Sequence, residues 1–376
     1  MKFLIKSNNL EKLHSIFQET SSIIKKAISE KRPIIIRHHD DVDGYTAGLI
    51  LERAIEPLIK DNKTHYYLTR SPCRSPYYNY IDALHDLSNY LSSYNNKAPL
   101  IILTDLGSNE QSIKAIKRLH NYNIDFIILD HHRYDNANKE MALKFLNPHA
   151  YGLDSNLNAG ILAVELSRFL NPLLTGVKHL PALSAIADKS SGKDVDAYVK
   201  VSGFSEKELE KWSVVIDHEL YYLRFPAKNK FFDDLFFPSK RNLIMINLMY
   251  KNIQKEFNKI KIAAKKYVKI TNYNKFKLLR INRDVGFYDY ASSKLARIVT
   301  DLESGPRITF VETPDSISYR ADKINFKGVD LINELKQKFP HALINGGGHD
   351  AAGSIQFNIA SKEELISYIL QYLKKI

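Results

Sequence analysis

Residues 33–44 read Pro-Ile-Ile-Ile-Arg-His-His-Asp-Asp-Val-Asp-Gly. Three consecutive branched apolar residues, met at once by histidine and aspartate, describe a buried strand that stops at a polar edge. The residues that follow, 44–58, set Leu49, Ile50, Ala54 and Ile55 on one face of a helix. The alternation then repeats. Strand-like runs fall at 64–69, 99–104 and 124–129, and helical patterns at 77–93, 109–121 and 158–170. Apolar strands alternating with helices predict an α/β fold, a parallel sheet with helices on both faces. In such sheets functional residues gather just past the carboxyl ends of the strands.

The ends of these strands are chemically alike. The first places His39, Asp41 and Asp43 before Gly44. The second, LIILTDLG, places Asp105 before Gly107, and the third, FIILDHH, delivers Asp130, His131 and His132. A fourth apolar run, ALSAIADKSSG, ends at Asp188. Burying four or five carboxylates together is costly unless cations neutralise them. Aspartate oxygen mixed with imidazole nitrogen suits two Mn²⁺ ions better than Ca²⁺, with Mg²⁺ as the other candidate. A pair of such ions sharing one carboxylate can activate a water for attack on phosphorus. Each tripeptide alone reads as an ordinary polar loop; their joint appearance after successive apolar strands argues for a two-metal phosphoesterase.

The rest of the chain gives the domain plan. Residues 1–194 form the strand–helix alternation. Residues 195–272 are mostly helical in pattern and rich in Lys, Tyr and Asn, a connecting region. From 273 to 376 a smaller α/β domain follows. It has strands at 276–281, 307–312, 316–321 and 353–358, helices at 289–302 and 329–338, and a glycine-rich turn at 346–348. Ser361 and Glu364 have capping-box spacing for a last helix. Two domains agree with 376 residues, more than one core usually holds. Cys73 is the single cysteine, so no intrachain disulfide forms, and the expected setting is cytoplasmic. The start of the chain lacks the long apolar region of a signal peptide, and no run nears the roughly 20 apolar residues that span a bilayer. No membrane role is expected. The formal charge of +12 favours a polyanionic partner.

These motifs resemble the DHH phosphoesterase superfamily, and more closely its RecJ-like members with a DHHA1 domain. The resemblance covers about 30–190 and 275–360. It implies that His39, Asp41 and Asp105 hold one metal. Asp43, Asp105, His131 and Asp188 would hold the other, with Asp105 as the bridge. It gives His132 a contact with the scissile phosphate and makes Asp130 an orienting carboxylate. His38 and Asp40 match no ligand position. Gly346-Gly347-Gly348-His349 resembles the DHHA1 signature, with glycines admitting close backbone approach to an anion or base and His349 meeting a phosphate. Arg320 matches the family's arginine on a neighbouring strand, able to grip phosphate bidentately. The bland readings are a tight turn and a surface arginine.

The substrate is less directly written. Residues 251–283 hold eleven basic residues against Glu256 alone, interleaved with Tyr267, Tyr273 and Phe276. A basic track with aromatic platforms suits single-stranded nucleic acid; a solvated helix face with aromatics in the core is the competing reading. The expectation is a RecJ-like, Mn²⁺-dependent exonuclease on single-stranded DNA or RNA, in replication or repair. The alternatives are an oligoribonuclease or nucleotide phosphatase on short substrates, and a non-catalytic replisome scaffold. By resemblance, the GINS replication complex is an expected partner.

Overall fold

The computed structural model describes residues 2–59, 64–73, 75–92, 97–222 and 230–376. The chain divides into two compact units, Met1–Tyr250 and Lys251–Ile376.

The first unit is built on a five-stranded sheet. Its strands are β1 (Ile34–His39), β2 (Leu68–Cys73), β3 (Leu100–Thr104), β4 (Asp125–Leu129) and β5 (Lys144–Leu146). They lie in the order β2-β1-β3-β4-β5, and every pair is parallel. Every residue of β3 is buried, as are the last four of β4. Burial on both faces explains why these strands read as unbroken apolar runs. On one face pack the helices Val42–Ile55, Ala159–Leu170 and Leu180–Ala187, with His14–Ser29 against the second of them. On the other, Tyr80–Ser92 and Ile113–Asn121 close a core of Leu87, Ile101, Leu103, Ile116, Phe126 and Ile128. The α/β class and two-sided parallel sheet expected from the sequence are what the chain forms.

The second unit has a mixed six-stranded sheet in the order β10-β11-β9-β8-β7-β6. Its strands are β6 (Lys269–Asn272), β7 (Lys277–Asn282), β8 (Arg307–Glu312), β9 (Ser316–Asp322), β10 (Asn345–His349) and β11 (Ala352–Gln356). Helices Gly328–Lys338 and Lys362–Leu373 cover one face, around Phe310, Tyr319, Leu331 and Leu365. Helix Ser292–Thr300 packs on the other, around Leu279, Leu295 and Val311.

Several local expectations are corrected. The strand expected at 64–69 starts as a helical turn, Thr64–Tyr67, and β2 follows at Leu68. The glycine turn at 346–348 is strand β10. It pairs antiparallel with β11, and a Cβ at Gly346 would lie 2.3 Å from the Ser354 carbonyl. Ser361 makes no side-chain cap on Lys362–Leu373; Asn358 caps the 3-10 turn before it. Phe276 is buried and stacked on Tyr273 at 4.8 Å, so it is core and offers no platform to a base. No helix among the described residues is long and apolar enough to cross a membrane.

One buried group outside the motifs holds elements of the first unit together. Glu165, fully buried, accepts the Leu4 N–H at 3.1 Å and the Tyr198 hydroxyl at 2.7 Å. Burial lifts its carboxyl from an ordinary 4.5 to about 7, against those hydrogen bonds. The unfolded chain then ionises first. The contribution of Glu165 to stability is full below about pH 4.5 and is lost as pH rises through about 7, roughly 3 kcal/mol in total. Urea denaturation of the full chain across this range is expected to show that slope, and Glu165→Gln is expected to reduce it. An equal slope in the variant would assign the pH dependence to other groups.

Candidate metal centre

The centre starts where β1 runs out. After His39, Asp41 becomes the N-cap of helix Val42–Ile55, its Oδ1 accepting the Gly44 N–H at 2.9 Å. Its Oδ2 lies 2.9 Å from His39 Nδ1. One carboxylate thus closes the helix and faces the imidazole. Gly44 sits so tightly behind His39 that a Cβ there would fall 2.6 Å from the His39 Cβ. The His-x-Asp-x-Asp-Gly pattern is therefore one local structure: strand end, cap, first-turn carboxylate and the glycine that lets the turn close. His38 points away. Its Nδ1 meets the His39 carbonyl at 2.8 Å, and burial beside Arg70 lowers its pKa to about 3.

Asp105 follows β3 with a left-handed φ of 60°, which a short polar side chain tolerates. Its N–H donates to the Leu129 carbonyl at 2.8 Å, and Asp130 N–H to Leu146 at 3.1 Å, so the ladder continues past the strand ends. Asp130 faces back into the loop. Its Oδ1 takes the His131 N–H and the His132 Nδ1, both at 2.8 Å, and its Oδ2 takes the Ser108 N–H. It orients His132 and the chain around it. His131 Nδ1 donates to the Ser155 carbonyl at 2.9 Å, so it is Nε2 that would carry the lone pair in the neutral imidazole. That nitrogen lies 3.3 Å from Asp105, 3.5 Å from Asp43 and 3.7 Å from Asp188.

Asp43 is seated on a helix N-terminus. Its oxygens accept the Ala159 and Gly160 N–H groups at 3.0 and 2.7 Å and the Ser184 hydroxyl at 2.5 Å. Asn158 caps that helix and also donates to Ser184. A Cβ on Gly160 would sit 2.2 Å from the Ser184 Oγ. Asp188 ends helix Leu180–Ala187 as its C-cap.

Ligand-type atoms converge in three groups among the described residues: His39, Asp41 and Asp105; Asp43, His131 and Asp188; and Asp105, His131 and His132. Asp105 joins the first to the third. The electrostatics are those of a crowded anionic site. Burial first, then Asp105 and Asp188, push Asp43 well above the usual carboxylate range. Burial likewise lifts Asp188 to about 6. Burial opposes the charge on His39 and His131, yet the surrounding carboxylates hold both well above an ordinary imidazole. Asp105 Oδ1 is buried with no hydrogen bond among the described residues. A mixed oxygen and nitrogen donor set, focused on a buried carboxylate oxygen that makes no hydrogen bond, fits divalent cations.

The remaining expected residues lie in the second unit. Arg320 on β9 pairs with Ala352 on β11, which pairs with His349 on β10, so Arg320 and Gly346-Gly347-Gly348-His349 occupy neighbouring strands of one sheet. Arg320 is half-buried; burial and the nearby Arg297 lower its pKa. Sequence reasoning missed Ser108, Ser155, Asn158, Gly160 and Ser184, the groups that aim the ligands. Of these, only Asn158 had a local signal, a cap residue before an apolar helix.

The DHH family's N-terminal domain matches residues 33–171. Over the whole chain, the DHH domain of a member of the s1p family of ribosomal proteins is 30% identical. It superposes with a TM-score of 0.92, covering 100% of this chain and 94% of that one. The chain belongs to the DHH family. DHH superfamily members are metal-dependent phosphoesterases. An uncharacterized protein of Methanocaldococcus jannaschii is 29% identical over 426 residues; they cover 100% of this chain but 56% of that protein, so the chain spans little more than half its length. RecJ of Thermus thermophilus, solved with Mn²⁺, shares the fold at 13% identity and a TM-score of 0.66, over 96% of this chain and 55% of that one.

Charge crowding predicts opposite responses to metal and to mutation. In chelator, Asp105→Asn is expected to raise the melting temperature, by about 2–4 °C per kcal/mol of repulsion relieved. Mn²⁺ is expected to raise it in the wild type and much less in the variant. Thermal melts with and without Mn²⁺ check this; a wild type indifferent to the ion would remove the metal assignment.

Proposed function

We propose that the protein is a RecJ-like, Mn²⁺-dependent exonuclease that hydrolyses phosphodiester bonds of single-stranded DNA, RNA or both, in replication or repair. The observation that carries this reading is the position of Asp105, grouped with His39 and Asp41 and also 3.3 Å from His131, which in turn groups with Asp43 and Asp188. His39, Asp41 and Asp105 would hold one cation, and Asp43, Asp105, His131 and Asp188 the other. Bound there, the two ions supply Lewis acidity toward the phosphate and a nucleophilic water at neutral pH.

The chain's own residues hold and orient. The Ser155 carbonyl fixes the His131 tautomer, and the Ala159 and Gly160 N–H groups fix Asp43. Asp130 anchors His132 through Nδ1, leaving Nε2 as the atom to meet a phosphate oxygen. In the second unit, Arg320, the N–H groups of 346–348 and His349 would bind substrate phosphate or base. Strand binding would use the lysines of 251–269. Lys251, Lys255, Lys259, Lys265, Lys266 and Lys269 are exposed, as is Tyr267. Lys277 and Arg280 are spoken for, paired with Glu303 and Glu312 at 2.6 Å. A cytoplasmic setting and association with the GINS complex rest on the resemblance and composition alone.

The test is digestion of an end-labelled single strand, as DNA and as RNA, with Mn²⁺ or with chelator. A metal-dependent ladder absent on duplex is expected, and loss of it in Asp105→Ala. Hydrolysis confined to dinucleotides would instead make this a short-substrate phosphoesterase. Each lysine to glutamine change at 259 or 265 is expected to weaken strand binding and flatten the log–log salt slope by about 0.7. An unchanged slope would remove those lysines from the interface.

A further inference from the structure

The sheet of the first unit has a polar, open patch where a core face would be expected. β1 is paired on both sides, and Ile34 and Ile36 are buried at 1% and 0% exposure. Ile35, between them on the opposite face, is only half-buried. Its neighbour across β2 is Thr69, exposed; the next pair on that face is Arg37 with Ser71. β3 presents Ile101 and Leu103 to the same core. Polar residues thus replace apolar ones only on the edge strand and beside it, where helix Tyr80–Ser92 stands off. The gap is a cleft of about 700 Å³.

Its floor is rigid and close to neutral. Arg37 is 5% exposed and Asp86 2%. Arg37 Nε and Nη2 both bind Asp86, at 3.0 and 2.5 Å, and the Tyr78 hydroxyl completes the carboxylate at 2.8 Å. Among the described residues, Nη1 has a single partner, the Pro72 carbonyl at 3.4 Å. A buried guanidinium with donor capacity left is held at the base of the cleft. Tyr66, Tyr67 and Tyr90 contribute aromatic walls, and Asn89 an exposed amide.

We propose that this cleft binds a nucleobase, carried by a free nucleotide or by a strand. A flat heterocycle has two π-faces for the tyrosines and edge acceptors for the Arg37 Nη1 donors. Paired charges on the floor suit a neutral base, with ribose toward Thr69 and Ser71 and phosphate left in water. The volume lies within the range of small-molecule sites. The cleft is distinct from the metal centre in that neither His39 nor any of the carboxylates grouped there lines it, although Arg37 on its floor precedes His39 by two residues, roughly 7 Å along β1.

The experiment uses 2-aminopurine riboside monophosphate, and a single strand carrying one 2-aminopurine, titrated with the full chain in chelator. Saturable quenching of fluorescence is expected from at least one. Thr69→Phe fills the cleft from an exposed strand position, and Tyr90→Ala removes a wall. Each is expected to weaken binding by at least about tenfold while leaving the melting temperature and Mn²⁺-dependent hydrolysis of bis(p-nitrophenyl) phosphate unchanged. Quenching by the monophosphate identifies a free-nucleotide site, and quenching by the strand alone an added base contact on the polymer. No saturable quenching by either probe, or equal affinity in both variants, overturns the proposal. Because binding is read without metal, its failure is separable from failure of the exonuclease reading.

Discussion

Negative charge concentrated at the carboxyl edge of a parallel sheet is the constraint around which the first unit is arranged. Asp43, Asp105 and Asp130 are all buried, with Asp41 and Asp188 beside them. The carboxylates are not equivalent. Asp130 is satisfied by two backbone N–H groups at 3.0 Å or less and by an imidazole, and those partners hold it below the usual carboxylate range although burial opposes this. Asp43 has a helix N-terminus and a serine. Among the described residues Asp105 Oδ1 makes no hydrogen bond, and imidazole nitrogens of His131 and His132 lie 3.3 and 3.7 Å from it. A buried carboxylate oxygen without a hydrogen bond is a costly group for a fold to carry, and a cation is a usual partner for one.

The sheet makes this crowding possible because it is stiff. β1, β3 and β4 are neighbours, so the residues after them emerge side by side. Backbone hydrogen bonds from Asp105 to Leu129 and from Asp130 to Leu146 carry the register one residue beyond the strands. Like charges that would part on flexible loops are kept near one another by main-chain geometry. Preorganisation of this kind is what allows a site to bind cations without first having to order itself.

The proposed ligands were legible as a cluster because each lies at or just past the end of an apolar run, so that sequence position reports spatial position. His39, Asp105 and His131 all have this property. The groups that aim them do not. Ser155 fixes His131 from 24 residues away and Ser184 reaches Asp43 from 141 away, and a lone serine has no periodicity to betray it. Other misses have local causes. Thr64–Tyr67 is rich in β-favouring residues yet forms a helical turn, since tertiary context overrides a weak propensity. Gly346–Gly348 reads as a turn by composition, but close approach of β11 requires the same absence of side chains. Phe276 sits in a basic run, and its burial is decided by Tyr273 and the sheet, not by its charged neighbours.

The distribution of charge also separates attraction from chemistry. Without cations, the metal centre presents carboxylates to any approaching phosphate, and the local field is repulsive. Divalent ions bound there would reverse its sign, so the centre's affinity for phosphate would depend on metal. Attraction by the exposed lysines between 251 and 269, which ligate no metal in this reading, would not depend on loading of the centre. If the proposed function holds, a polyanion would have two attractions of different origin, one screened by monovalent salt and one removed by chelator. On the proposed function, raising salt would act chiefly on capture of a long strand, and chelation on cleavage of any phosphodiester, however short.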